Sequence, residues 1–219
     1  MTDSERAAAW NAAGTAAADL IEDGMRVGLG TGRAAAAGIT ALGVRVRAGL
    51  RCTGVPTSKA SAALARAQGI PIGRLRGPLD LAFDGADAVD PTGLVVKGAG
   101  GAMVRERIVA ESARRFVILV DPPKLVASLD EWHLLPIAVI PFAARRIADR
   151  LARYAPVARD RRSDDGLALI DLSVPAGRSW RNVAAEVAGI TGVVDHGLFV
   201  VATSDVFVGH GDGTVTFAG

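Results

Sequence analysis

Four stretches of the chain set chemically able side chains beside glycines. Asp84-Gly85-Ala86-Asp87 closes the apolar run Leu79 to Phe83 with two carboxylates three residues apart. Carboxylates so spaced converge on neighbouring hydroxyls or share proton traffic; taken alone, the same residues simply make a turn and cap the next element. Lys97-Gly98-Ala99-Gly100-Gly101 follows Leu94-Val95-Val96 and leads into a helical stretch that carries Glu106. A lysine near backbone N–H groups suits an oxyanion or enolate, whereas Glu106 by itself reads as a solvated helix carboxylate that complements the dipole. Gly28-Leu29-Gly30-Thr31-Gly32-Arg33 lies between a strand and a helix, where glycines admit a ligand to the backbone and the helix start offers N–H groups to an anion. It is not G-x-G-x-x-G, because Ala35 takes the third glycine position, and it is not a Walker loop. Asp121-Pro122-Pro123-Lys124 adds one cation at a fourth strand end. One Glu, one Lys and two Asp together suit proton abstraction beside a carbonyl with stabilisation of an enediolate, chemistry that requires neither metal nor organic cofactor.

The elements that must position these groups alternate in type. A helix is expected from Ser4 to Glu22, stopped at Gly24, then a strand over Met25 to Leu29 and a helix from Ala34 to Leu42. Strand, glycine turn, helix opens a doubly wound α/β sheet. Cys52 to Val55, Leu79 to Phe83, Leu94 to Val96 and Phe116 to Val120 read as further strands, and Ser58 to Gln68 and Ala102 to Arg114 as helices. The strand ends after Leu29, Phe83, Val96 and Val120 are expected at one crevice. After Pro123 the block Leu134 to Ile140, Ala143 to Tyr154, Leu167 to Leu172, Trp180 to Val187 and Gly197 to Val201 reads strand-helix-strand-helix-strand, a ferredoxin-like satellite. Val206 to Gly209 and Thr214 to Phe217 form a hairpin around Gly211-Asp212-Gly213, with its sheet undetermined. The expectation is an α/β chain: a doubly wound Rossmann-like sheet over 1–130 plus 203–219, and a small α+β (ferredoxin-like) domain over 131–202 inserted near the C-terminus.

Composition excludes several classes. The 219 residues are 50% hydrophobic, 22% charged and 5% aromatic, with 25 Lys and Arg against 23 Asp and Glu, a net charge of +2. No basic track exists for nucleic acid, and no apolar run nears the ~18 residues of a membrane span. The single Cys52, in an apolar strand, forms no internal disulfide. His133, His196 and His210 lack metal-ligand spacing, and there is no G-x-S-x-G. The polar, acidic start Met1-Thr2-Asp3-Ser4-Glu5 is no secretory signal, and a cytoplasmic chain is expected.

Across essentially its whole length the chain resembles ribose-5-phosphate isomerases of type A. The resemblance rests on Val27 to Gly32, Gly54 to Ser58, Asp80 to Asp87, Lys97 to Glu106, Asp121 to Lys124, Val139 to Phe142 and Gly192 to Phe199. It implies metal- and cofactor-independent interconversion of ribose 5-phosphate and ribulose 5-phosphate in the pentose phosphate pathway, and a homodimer or homotetramer. By the resemblance, Glu106 shuttles the proton between C2 and C1, Asp84 and Asp87 contact hydroxyls and assist ring opening, and Lys97 steadies the enediolate. Gly30, Thr31, Gly32, Arg33, Gly85, Ala86, Gly98, Gly100 and Lys124 complete the expected substrate-binding set, the first four and Lys124 at the phosphate end. The acid-base set is complete, but the phosphate end departs from the family: Arg33-Ala34 stands where the family usually has Ser-Thr, and Trp10 or Asn11 where it has a lysine. Ala88 and Ala99 replace a glutamate and a glycine. Either Arg33 grips the phosphate in place of the lost groups, or the pocket serves a modified or unphosphorylated sugar in a divergent paralogue. A non-catalytic sugar-phosphate-binding module is a third reading.

Overall fold

The computed structural model describes residues 1–200 and 204–218. Two units each have their own core. The larger comprises Met1–Ala86, Arg105–Leu125 and the C-terminal stretch with the last two strands. The smaller comprises Asp87–Val104 and Val126–Val200. Residues 87–104 and 126–130, expected with the large unit, therefore pack with the small one. The expected boundary at 202/203 and the strand end at Val201 lie outside the described residues.

In the larger unit, α1 (Asp3–Asp19), β1 (Arg26–Leu29), α2 (Arg33–Arg47), β2 (Thr53–Pro56), α3 (Lys59–Ala67), β3 (Leu81–Gly85), most of α4 (Met103–Glu111), β6 (Phe116–Val120), β12 (Ser204–Gly209) and β13 (Val215–Ala218) build one six-stranded sheet and its helices. The strand order is β13-β12-β6-β3-β1-β2, parallel throughout except for β13, which joins β12 antiparallel. The C-terminal hairpin thus extends the main sheet. Helix α1 starts with a capping box, Thr2 accepting from the Glu5 N–H at 3.2 Å while Glu5 accepts from the Thr2 N–H at 2.7 Å. It ends at Asp19, before the expected stop at Gly24. Its buried side holds Ala9, Ala13, Gly14, Ala17 and Ala18, so α2 approaches closely: a Cβ at Gly14 would stand 2.5 Å from the Gly38 nitrogen. Strand alternation then separates the faces. Val27, Leu29 and Phe83 pack in the cluster containing α1 and α2 residues, while Gly28 leaves room for Val109 of α4 on the other face.

The smaller unit contains β7 (Leu134–Val139), α5 (Ala144–Arg150), β8 (Val157–Arg162), β9 (Ala168–Ser173), α6 (Trp180–Ala188) and β10 (Val193–His196). Its antiparallel order, β10-β7-β9-β8, is that of a βαββαβ ferredoxin-like unit. Two of these strands differ from expectation. Strand β8, Val-Ala-Arg-Asp-Arg-Arg, is largely exposed and carries no apolar alternation, so it offers no sequence signal. Strand β10 supplies the last strand of this sheet, while β11 (Leu198–Val200), within the stretch expected as the block's third and last strand, pairs antiparallel with β5 (Leu94–Val96). Strand β5 also pairs with the two-residue β4 (Ala88–Val89). Val96 therefore ends a strand of a separate three-stranded sheet, and only the ends after Leu29, Phe83 and Val120 belong to neighbouring strands of the main sheet. Leu135, Ile137, Val139, Tyr154 and Trp180 share this unit's core with Ala88, Val96 and Leu198.

Candidate active site

The carboxylate of Asp84 sits at the C-terminal end of β3 and is 2% exposed. The Thr31 N–H donates to its Oδ1 at 2.9 Å and the Gly85 N–H to the same oxygen at 2.8 Å. The Gly30 N–H donates to the Phe83 carbonyl at 2.9 Å, bringing the two strand ends together. The fit demands glycine: a Cβ on Gly30 would lie 2.2 Å from Asp84 Oδ1. Gly32 has a φ of 105° and caps α2 with no side-chain partner, leaving the first turn of α2 without a side-chain acceptor. Arg33 follows as the first residue of α2, its guanidinium 4.3 Å from the centre of the Trp10 ring. The Thr31 hydroxyl meets those of Thr57 at 2.7 Å and Ser61 at 3.2 Å; Thr57 also donates to the Leu29 carbonyl and Ser61 to that of Gly30. Thr57 and Ser61 escaped the sequence reading as site-builders, although Ser58, which caps α3 through the Ser61 N–H, marks where they cluster.

Glu106 lies in the first turn of α4 and is 3% exposed. It is not the solvated carboxylate that its position alone implies. Gly85 and Ala86 are half-buried beside Asp84. Lys124 closes a short 3-10 turn begun by Asp121, whose buried carboxylate meets Arg6 at 3.6 Å.

In the smaller unit, the Lys97 side chain is 2% exposed, with its nitrogen 5.7 Å from the Phe199 ring centre. The backbone N–H of Lys97 donates to the Gly197 carbonyl at 2.8 Å, tying β5 to the start of β11. Asp87 Oδ2 accepts from the Ala99 N–H at 2.8 Å, so this carboxylate and the Lys97–Gly101 loop are held together. Gly98 has a φ of 110°, and a Cβ there would meet Met103 at 2.8 Å. Gly100 is exposed. The loop is clamped from β8: Arg159 donates to the Gly98 carbonyl at 2.7 Å and to the Ala99 carbonyl at 3.2 Å, while Asp171 of β9 accepts from its Nε at 2.8 Å. Arg161 also donates to the Ala99 carbonyl. Neither arginine was foreseen, because nothing in their spacing links them to a loop about 60 positions away.

Two groupings follow. Gly30, Thr31, Asp84 and Gly85 are joined by hydrogen bonds or close approach, with Gly32 and Arg33 continuing the same loop; Asp87, Lys97 and Gly98 gather in the other unit. Among the described residues, no group of three or more His, Cys, Asp or Glu side chains could hold a metal ion, and no helix is long and apolar enough to cross a membrane.

Comparison with known proteins gives concordant results. The profile of ribose 5-phosphate isomerase A (phosphoriboisomerase A) matches residues 53–213. A ribose-5-phosphate isomerase A from Thermomicrobium roseum is 44% identical over 207 residues, covering 88% of this chain and 86% of its own. The solved ribose 5-phosphate isomerase A of Methanocaldococcus jannaschii superimposes with a TM-score of 0.87 at 35% identity, over 95% of this chain and 96% of its own. A D-ribose-5-phosphate isomerase solved in complex with phospho-erythronic acid gives a TM-score of 0.86 at 33% identity, with the same coverages.

Proposed function

Since the chain belongs to the ribose 5-phosphate isomerase A family, we propose that it interconverts ribose 5-phosphate and ribulose 5-phosphate through an enediolate, with Glu106 as the base. The enzyme is an aldose-ketose isomerase, and its ligand is a sugar phosphate. Glu106 takes the proton from C2 of the open-chain aldose. The electron pair moves into a C1–C2 double bond, and negative charge gathers on the former carbonyl oxygen. Lys97 holds that charge. Returning the proton from Glu106 to C1 gives the ketose. Asp84 and Asp87 hold the hydroxyls, assist ring opening and move the proton between O1 and O2. The Gly30–Gly32 turn, the start of α2, Arg33 and Lys124 take the phosphate; Gly85, Ala86, Gly98 and Gly100 bring backbone close to the sugar. The relative's ligand, a phosphorylated sugar acid, supports this division, since it carries one anion for each end. The reaction fits the pentose phosphate pathway in the cytoplasm, carried out by a homodimer or homotetramer without metal.

The observation that carries the reading is the burial of Glu106. An ionisable side chain 3% exposed in a helix's first turn is costly unless it is paired or hydrogen-bonded, and such buried ionisable groups concentrate at functional sites. The test is turnover of ribose 5-phosphate against ribose and arabinose 5-phosphate, with EDTA present. Ribose 5-phosphate should be the preferred substrate, and Glu106→Gln should lower kcat by about 10²–10⁴-fold while leaving binding largely intact. Preferential turnover of another sugar, binding without turnover, or a near-normal Glu106→Gln rate would each overturn the assignment.

A further inference from the structure

The larger unit has a concavity of about 470 Å³, lined by none of the residues assigned to the reaction. That volume falls within the ~300–1,000 Å³ of small-molecule sites. Its walls come from two helix faces, the end of the outermost strand β2 and the 72–75 stretch that bridges to it. Lys59, Ala62 and Arg66 follow one another along one side of α3, and Arg105, Ile108 and Val109 along one side of α4. Between them lie Val55 and Pro56, at the end of β2, and residues 72–75. The last stretch is fixed in place. The Gly54 N–H donates to the Pro71 carbonyl at 2.8 Å, the Gly73 N–H to the Gly54 carbonyl at 2.9 Å, and the Arg26 guanidinium to the Arg74 carbonyl at 2.9 Å. Arg74 thus stands at the wall on a pinned backbone.

The lining divides chemically. Val55, Pro56, Ile72, Leu75, Ile108 and Val109 give an apolar floor, and Ile108 is 48% exposed beside it. Lys59, Arg66, Arg74 and Arg105 surround it, and no carboxylate is among the described lining residues. Lys59 and Arg105 are also engaged within the fold, so the charge of the wall rests on the exposed Arg66 and Arg74. Two exposed arginines beside an apolar floor, with no carboxylate among the described lining residues, favour an anion there.

We propose that this cavity binds a nucleoside polyphosphate, with the base on the aliphatic floor and the phosphates between Arg66 and Arg74. Inorganic phosphate would leave the floor uncovered, and a fatty acid would answer only one of the cations. A second copy of the chain fits worse, because a two-fold interface would press this cationic patch against itself. The site is independent of the isomerase chemistry, and nothing in it rests on the proposed roles of Glu106 or Lys97.

The test is calorimetric titration of the full chain with ADP and ATP, with pyrophosphate and adenosine as separate probes. ADP or ATP should bind at least about tenfold more tightly than either fragment, the two halves of the cavity each contributing. Binding should persist at saturating ribose 5-phosphate. Arg66→Glu with Arg74→Glu should weaken it at least about tenfold, with the isomerase rate in the absence of nucleotide unchanged. Arg66→Ala alone, in a chain shown to be folded by circular dichroism, gives the same direction with a smaller loss. No binding at about 1 mM nucleotide, displacement by ribose 5-phosphate, pyrophosphate as tight as ATP, or unchanged binding in the double variant would each refute the site. So would a double variant that changes the sedimentation coefficient while the parent chain binds no nucleotide; the face would then join copies of the chain.

Discussion

Arg33 is an unusual first residue for a helix. A cation in the first turn opposes the dipole, at a cost of about 0.3–1 kcal/mol. Here the guanidinium is held 4.3 Å from the Trp10 ring centre, which returns part of that energy and fixes a fork suited to a phosphate. Arg33→Ser should raise KM for ribose 5-phosphate about tenfold with kcat nearly unchanged, by loss of one charge-assisted contact; steady-state kinetics at fixed ionic strength checks this. The types and order of Asp84, Lys97 and Glu106 were legible in the sequence. The burial of Glu106 was not, because it depends on which side of α4 faces the protein, and α4 has little apolar periodicity to reveal it. Thr31 was legible as a loop residue, but its ties to Thr57 and Ser61 arise only when β1 and β2 lie side by side.

The crossing of α1 on α2 shows why the first of these helices is so rich in alanine. With Gly14 against Gly38 the backbones meet almost directly, and any added carbon must push α2 away from the C-terminal end of β1, after which Gly32 and Arg33 sit. Gly14→Ala gains helix propensity, up to about 1 kcal/mol, yet overpacking costs about 1–3 kcal/mol. The expected result is net destabilisation, read as a lower urea midpoint. Parallel strands with long apolar runs, such as β6, announced themselves through composition. Charged β8 did not, and with it went Arg159 and Arg161, the two clamps on the Lys97 loop.

The division into two units was legible in outline, since alternating strands and helices give way to a second block after Pro123. That 87–104 belong with the second block was hidden, because it requires β5 to find β11 about a hundred residues later. Buried Cys52 provides a handle on the larger unit, and burial pushes its thiol above the usual 9.0. A raised value means the folded chain holds that proton more tightly. This contribution to stability is complete below pH 9 and fades as the pH climbs through the folded value. Urea midpoints should therefore fall above pH 9, with a shallower fall in Cys52→Ala, and a disulfide reagent at pH 8 should label the thiol only as the chain unfolds. The three tryptophans are also unevenly placed: Trp10 in the larger unit, Trp132 and Trp180 in the smaller. With the latter two changed to phenylalanine, the remaining indole would be a built-in optical gauge. Any anion that draws the guanidinium off its ring alters the emission, so occupancy of the proposed phosphate end could be followed by light, without turnover and without an added dye.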